Sequence, residues 1–432
     1  MKPALFILIA VLLAVNNIFI NFRIGNLSYD RLLEFGLFFL FFKSYITELR
    51  ENSFFRKYNL YIILFAIVQF LMNIKLVMFN GAETKIIYVS FVKCFSYIVF
   101  SYLFLLIVKE NTKYLNIIIA IHLGICVFGL LHHPISPLSS QVHQIKTSLY
   151  KGVEGNEGLS KKLTGQDRYI QEGISNRFRM SGPFPSPIPF AYFLLSALFL
   201  NLYMYLRSNK KIYLFNLSII LLCSFMSQTR SLILAEVVMI MIFWVFINNK
   251  RINTYKVGIV ITVLALAVLY VNRPSSSVQT GESSRMTKFN DRRELLWITG
   301  MYAIAKHPFG ISKEQYAEVR KEMYYITGSL TVLYMPSHNG FINTAFNYTV
   351  IGYFLMIGFC IFIYKRTKPL SKNYRIIFNT FYIAYIINAT FHNNFLFYSD
   401  YTVYMVLMLI TIHYQYEKNK GLEYPKQLLN EA

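Results

Sequence analysis

Residues 335–364 read MPSHNGFINTAFNYTVIGYFLMIGFCIFIY. The first part, Met335-Pro336-Ser337-His338-Asn339-Gly340-Phe341, ends a long polar segment; from Phe341 to Tyr364 the chain is almost wholly apolar. A helix of that length crosses a hydrocarbon core of about 30 Å. His338 and Asn339 then stand just outside the membrane, and a titratable imidazole lies where charged ligands approach from water.

The pattern repeats in both directions. Apolar runs lie at 4–20, 32–48, 59–79, 86–108, 114–132, 187–206, 212–227, 231–248, 257–271, 341–364, 376–391 and 398–414. Such runs, about 17 to 24 residues each, suit membrane-spanning helices. Of the 432 residues 55% are hydrophobic and only 15% charged, and the mean hydropathy is +0.42. A soluble chain of this size needs far more polar surface.

The net charge of +22 suggests nucleic acid at first sight. Lys and Arg cluster instead in short loops between apolar runs, where they set topology and meet lipid headgroups. No solvated basic block exists to bind nucleic acid. Cys94, Cys126, Cys223 and Cys360 all fall inside apolar runs, which reads as core packing rather than a disulfide framework or zinc spacing.

Loop charge sets the orientation. With the N-terminus inside, the inner segments hold Lys43, Arg50, Arg56, Lys57, Lys109, Lys113, Arg207, Lys210, Lys211, Lys250, Arg251 and Lys256. Further inner clusters are Lys365 to Arg375 and Lys418 to Lys426. Short outer loops are poorer, so an even span count with both ends inside satisfies the positive-inside rule. The first run has no small-residue cleavage site after Asn16-Asn17, which favours a retained helix over a signal peptide.

Two long segments then lie outside. The expected division is 1–132, N-terminal spans; 133–186, first outer loop; 187–271, central spans; 272–340, large outer loop; and 341–432, C-terminal spans and tail. In the large loop Asp291 with Glu294 marks a helix start, with Leu295, Ile298 and Tyr302 on one face. Ser312 with Gln315 is a capping-box pattern, followed by Tyr316, Val319 and Met323 before Gly328. The fold class is all-α: a polytopic transmembrane helical bundle of about 12 spans, with two long outer loops, the second carrying short amphipathic helices.

The outer loops are rich in arginine: Arg168, Arg177 and Arg179, then Arg230 in a tight turn, then Arg273, Arg285, Arg292 and Arg293. Guanidinium groups bind phosphate oxygens in pairs and stay charged at any working pH. A helix-end histidine near neutrality is a natural general base for a hydroxyl, although a plain interfacial residue looks the same. No Asp-x-Asp pair is present to hold a divalent ion, and no cofactor is expected. Lys93 and Glu236 fall inside apolar runs and are costly there unless paired.

These segments together resemble the O-antigen polymerase and ligase superfamily of bacterial envelope enzymes. Arg179-Met180-Ser181-Gly182-Pro183-Phe184-Pro185-Ser186-Pro187 is similar to the family's Arg-x-x-Gly-x-Phe-x-x-Pro helix entry. Ser227-Gln228-Thr229-Arg230-Ser231-Leu232-Ile233-Leu234 carries an Arg-x-x-x-Leu element. Arg292-Arg293-Glu294-Leu295-Leu296-Trp297 and His307-Pro308-Phe309-Gly310 resemble the start of the large loop, and His338-Asn339-Gly340-Phe341 its close. Two positions depart from the pattern: Ile188, where Asn is usual, and Thr349, eleven residues after the histidine, where ligases have Gly.

The resemblance implies metal-independent, inverting glycosyl transfer on the periplasmic face of the inner membrane, from a glycan on undecaprenyl pyrophosphate. It gives His338 the catalytic role. Arg230 with Arg292 or Arg293 would hold the pyrophosphate, and Arg179, Arg177, Asn339 and Trp297 would contact substrate. The expected partners are the undecaprenyl-pyrophosphate-linked glycan and membrane lipids, with no nucleic acid. The polymerase reading, which Thr349 favours over a ligase, adds a polysaccharide chain-length regulator. A lipid-linked oligosaccharide flippase is the alternative of another class; it calls for charges lining a central cavity and has no need of Arg- and His-bearing outer loops.

Overall fold

The computed structural model describes residues 2–16, 18, 23–24, 27–150, 179–184, 186–247, 293–393, 395–396 and 402–418. Their regular secondary structure is helical, apart from a two-residue antiparallel pair, Arg23–Ile24 with Leu27–Ser28. The helices are α1 Lys2–Ala14, α2 Tyr29–Leu40, α3 Phe42–Glu51, α4 Ser53–Asn80, α5 Lys85–Glu110, α6 Lys113–His132, α7 Ser139–Tyr150 and α8 Pro187–Ser208. They continue with α9 Ile212–Ser227, α10 Arg230–Phe246, α11 Arg293–Lys306, α12 Lys313–Thr327, α13 Leu330–Tyr334, α14 Gly340–Thr367, α15 Lys372–Thr390 and α16 Thr402–Lys418.

Among the described residues five helices, α4, α5, α6, α8 and α14, are long and apolar enough to cross a membrane. The other expected runs form shorter or less apolar helices, and 257–271 lies outside the described residues. The run at 32–48 is not one rod. It breaks at Phe41 into α2 and α3, and it buries charge: Arg31 bonds Glu34 at 2.8 Å and Asn16 at 2.8 Å, and Asn16 bonds Glu34 at 3.1 Å. Each member of this network meets a partner, as charge removed from water requires.

α5, α8 and α16 form the centre, with α5 against α16 and α16 against α8. α8 is buried almost all round, whereas α4, α6 and α14 leave most of their apolar surface outside the bundle. That is the expected distribution where lipid, not water, is the surrounding solvent. Rings fill the centre: Phe38 meets Tyr102 edge-on at 5.9 Å and Tyr45 meets Tyr102 edge-on at 5.2 Å, the geometry aromatic quadrupoles prefer.

The bundle has two distinct ends. At one end Lys109 pairs with Glu48 at 2.6 Å, Tyr213 bonds Asn116 at 2.8 Å, and Arg366 bonds Tyr414. The connections there are short and basic. At the other end the described parts of both long loops fold back onto the helices. α7 packs on α6, and Lys146 of α7 reaches Ser181 at 2.5 Å. α11 lies along α14.

The face α11 buries differs from the expected one. Leu296, Thr299, Gly300 and Ala303 are buried, while Ile298 and Tyr302 are exposed. Small residues win because α11 sits very close to α14: a Cβ on Gly300 would stand 2.6 Å from Cγ2 of Ile342. α12 starts at the reciprocal Ser312–Gln315 capping box and stops at Gly328, whose φ is 63°.

α14 itself is kinked. Thr349 has φ 63° and ψ 177°, far from helical. The amide of Val350, released from the helix, donates to Pro308 O at 3.1 Å, and Ile351 N finds Thr349 Oγ1 at 3.2 Å. His307-Pro308-Phe309-Gly310 thus wedges against the kink. Lys75 of α4 bonds Phe309 O at 3.2 Å, and Gly310, at φ 107°, leaves only 2.7 Å between an imagined Cβ and Met72.

Candidate functional site

At the loop-bearing end, the turn Phe391-His392-Asn393 after α15 is where the motifs meet. α10 packs against α15 more extensively than any other pair of helices, and its first turn carries Arg230 and Ser231. Ser231 Oγ lies 2.7 Å from Nε2 of His392 and 2.8 Å from the side-chain amide of Asn388. Asn343 of α14 donates to Asn393 O at 2.7 Å. Arg293, the first residue of α11, donates to Phe391 O at 3.5 Å with its guanidinium 5.4 Å above the Phe391 ring.

Arg179 arrives from the first long loop. Its guanidinium bonds Ser227 O at 3.4 Å and Thr229 Oγ1 at 3.3 Å, and Met180 N bonds Met226 O at 3.1 Å. Segment 179–184 is therefore pinned to the α9–α10 turn, beside Arg230. This close approach needs Gly129 and Gly182: a Cβ on Gly129 would meet Met180 Sδ at 3.1 Å, and Gly182 has φ 53° against Phe190.

His338 is half-buried and has φ 46°, a left-handed backbone uncommon outside Gly that marks sites where geometry overrides local preference. It belongs to the same cluster. Burial first, then the positive charges of Arg293 and Arg179 and the neighbouring His338, push the His392 imidazole down to about 3. His392 is thus neutral at any physiological pH, in a pocket carrying at least two fixed cations. Such a concentration of guanidinium charge at a membrane edge suits a di-anionic ligand.

The other expected site residues divide. Arg230 is exposed at the start of α10, flanked by Thr229 and Ser231, which bond Arg179 and His392. Trp297 packs on Phe391, ring centres 6.1 Å apart, with Nε1 buried and without a partner among the described residues. Asn339 caps α14: its Oδ1 accepts from Phe341 N at 2.9 Å and Ile342 N at 3.2 Å. Arg177 and Arg292 lie outside the described residues. Among the described residues Glu236 meets no arginine; it accepts from Ser224 at 2.6 Å. Among the described residues no three His, Cys, Asp or Glu side chains gather as a metal site would.

Four residues had no role assigned from the sequence: His392, placed there only in a short outer turn, Asn393, Ser231 and Lys146. His392 and Asn393 repeat the His338-Asn339 pattern at a second helix mouth, a usable signal. Ser231 was present within the arginine motif but carried no expectation. Lys146 is fully buried, with Ser181 as its hydrogen-bond partner, and burial pushes its amine down to about 7; nothing in its surroundings in sequence announced this.

Residues 215–357 match the family model described as O-antigen ligase. That span holds Arg230, Arg293, the Pro308 wedge and His338, and it supports the resemblance to the O-antigen ligase and polymerase superfamily. No curated protein and no solved structure matches the chain.

Proposed function

We propose, from the premise that this multi-pass membrane chain carries an O-antigen ligase-type domain, that it is a polymerase. It joins undecaprenyl-pyrophosphate-linked repeat units into a surface polysaccharide, working on the periplasmic side of the inner membrane with both termini in the cytoplasm. The observation that carries this reading is the convergence of Arg179, Arg293 and His338 on the turn at 391–393, with Arg230 next in sequence to Ser231, which bonds His392, at the end of the bundle that bears both long loops.

The chemistry follows from these groups. The acceptor hydroxyl attacks the anomeric carbon opposite the leaving group, and its proton passes to His338. The bond from that carbon to the phosphate oxygen breaks, and undecaprenyl pyrophosphate departs with one more negative charge. Arg230 and Arg293 stabilise that charge as it develops, and they are pre-placed by α10 and α11. Water is the competing nucleophile, so its exclusion by the second-loop helices α11–α13 favours transfer over hydrolysis.

A chromosomal deletion, complemented with wild type, Arg230→Ala or His338→Ala, tests the reading by the ladder of surface glycan. The expected result is a single repeat unit on the acceptor in the deletion, a full ladder with wild type, and at least about a hundredfold less polymer with either variant. A normal ladder from both variants removes these roles. The second reading is a ligase that moves finished polymer onto lipid A core or another surface acceptor. The description of the matched family favours it, and Thr349, whose backbone takes a glycine-type conformation, no longer argues against it. Long chains accumulating on the carrier lipid, none attached, would identify the ligase.

A further inference from the structure

His392 has one ring nitrogen engaged and one open. Nε2 meets Ser231 at 2.7 Å, while Nδ1 makes no hydrogen bond among the described residues. Ser231 meets Asn388 at 2.8 Å, and Asn388 Nδ2 is buried without a partner. A serine has one proton to give, so the orientation of the Asn388 amide decides which His392 nitrogen carries hydrogen.

With Oδ1 toward Ser231, both Asn388 N–H bonds stay buried without acceptors. Turning the amide about Cβ–Cγ lets Nδ2 donate to Ser231 Oγ, which leaves one such bond and a carbonyl oxygen. Buried N–H groups without partners are the rarer and costlier defect; the amide is assigned by that network. Ser231 then donates to His392 Nε2, and the proton of the ring sits on Nδ1. A second observation agrees. Arg179 and Arg293 both act on this ring by charge, yet no guanidinium N–H is bonded to Nδ1 among the described residues, as expected of a nitrogen that is itself a donor.

We infer that Asn388, Ser231 and His392 form a neutral donor relay whose Nδ1–H binds a phosphate oxygen of the pyrophosphate held by Arg179, Arg230 and Arg293. His392 is thus a binding residue for the leaving group and not a second base. This rests on the proposed function, and it adds to it a ligand contact that stays the same at every working pH. Burial, the larger cause of the neutral ring, persists when an anion offsets the guanidinium charge.

Undecaprenyl pyrophosphate binding to the full-length protein in lipid nanodiscs, measured from pH 5.5 to 8.5, tests it. His392→Ala is expected to bind about tenfold or more weakly, by the same factor at each pH, since a hydrogen bond to a charged acceptor is lost. His392→Asn places an amide N–H where Nδ1–H was and cannot take up a proton; it is expected to recover binding to within about threefold of wild type. Asn388→Asp can only accept from Ser231, reverses the relay and leaves Nδ1 bare, so it is expected to weaken binding as His392→Ala does.

If His392→Asn keeps binding but loses turnover together with the acidic limb of the rate profile, His392 is a base and the inference falls. Unchanged binding by His392→Ala also overturns it. Wild-type protein that binds no undecaprenyl pyrophosphate removes instead the function proposed above. An unaltered thermal midpoint for His392→Asn separates loss of binding from loss of fold.

Discussion

The side-chain oxygen of Asn339 is already committed to two backbone N–H groups of α14, so its first duty is structural. Asn339→Ala should cost about 1 kcal/mol, seen as a lower thermal midpoint in detergent, while Asn339→Asp keeps the cap. Transfer activity lost by the Asp variant at full stability would show that the amide nitrogen also touches substrate. Lys146 gives a pH signature. Its amine is buried and held near 7, well under its unfolded value of about 10.4. The native state therefore disfavours the charged form, and stability falls as pH drops from about 10 through 7. The thermal midpoint of wild type should rise between pH 7 and 9, and that rise should vanish in Lys146→Met. Asn339 carried only a substrate-contact expectation, but the Ser312–Gln315 cap, whose chemistry depends on sequence neighbours, was legible. Lys146 and Ser231 were not, because their partners lie 35 and 161 residues away.

Among the elements, α14 is the most informative. A backbone at φ 63° and ψ 177° is nearly reserved for Gly, and holding Thr349 there costs about 1 to 3 kcal/mol. The threonine partly offsets this by giving Ile351 N an acceptor. Thr349→Ala keeps the strain and loses the acceptor, so its thermal midpoint should fall; Thr349→Gly should match or exceed wild type. Gly352 completes the kink, since a Cβ there would stand 2.2 Å from Cβ of Tyr348, and Gly352→Ala should destabilise. The apolar stretch from Phe341 to Tyr364 showed a helix but not a bent one, because the cause is a carbonyl from another segment. α11 teaches the same lesson in reverse. Its large residues suggested one buried face, and the small ones won because a neighbour was near.

For the molecule as a whole, hydropathy and charge read the class correctly, since a bundle in lipid needs apolar surface both inside and out. They overstated the regularity of the spans: buried ion networks and breaks such as Phe41 depend on neighbours in three dimensions. The separation of short basic connections from long loops does imply sidedness. On the proposed topology Glu318→Cys on α12 should react with an impermeant maleimide while the membrane is intact, and Lys211→Cys only after that membrane is opened. The reverse labelling would invert the topology. Lastly, the Val350 amide, released from its own helix by the kink, has Pro308 O as its acceptor. The acceptor is synthesised about 40 residues before the donor, which at about 5 to 20 residues per second is a matter of seconds. During biogenesis the loop is therefore ready to clasp α14 as that helix enters the bilayer, and an insertion at 307–310 would register as a failure of membrane integration rather than as a defect in a loop.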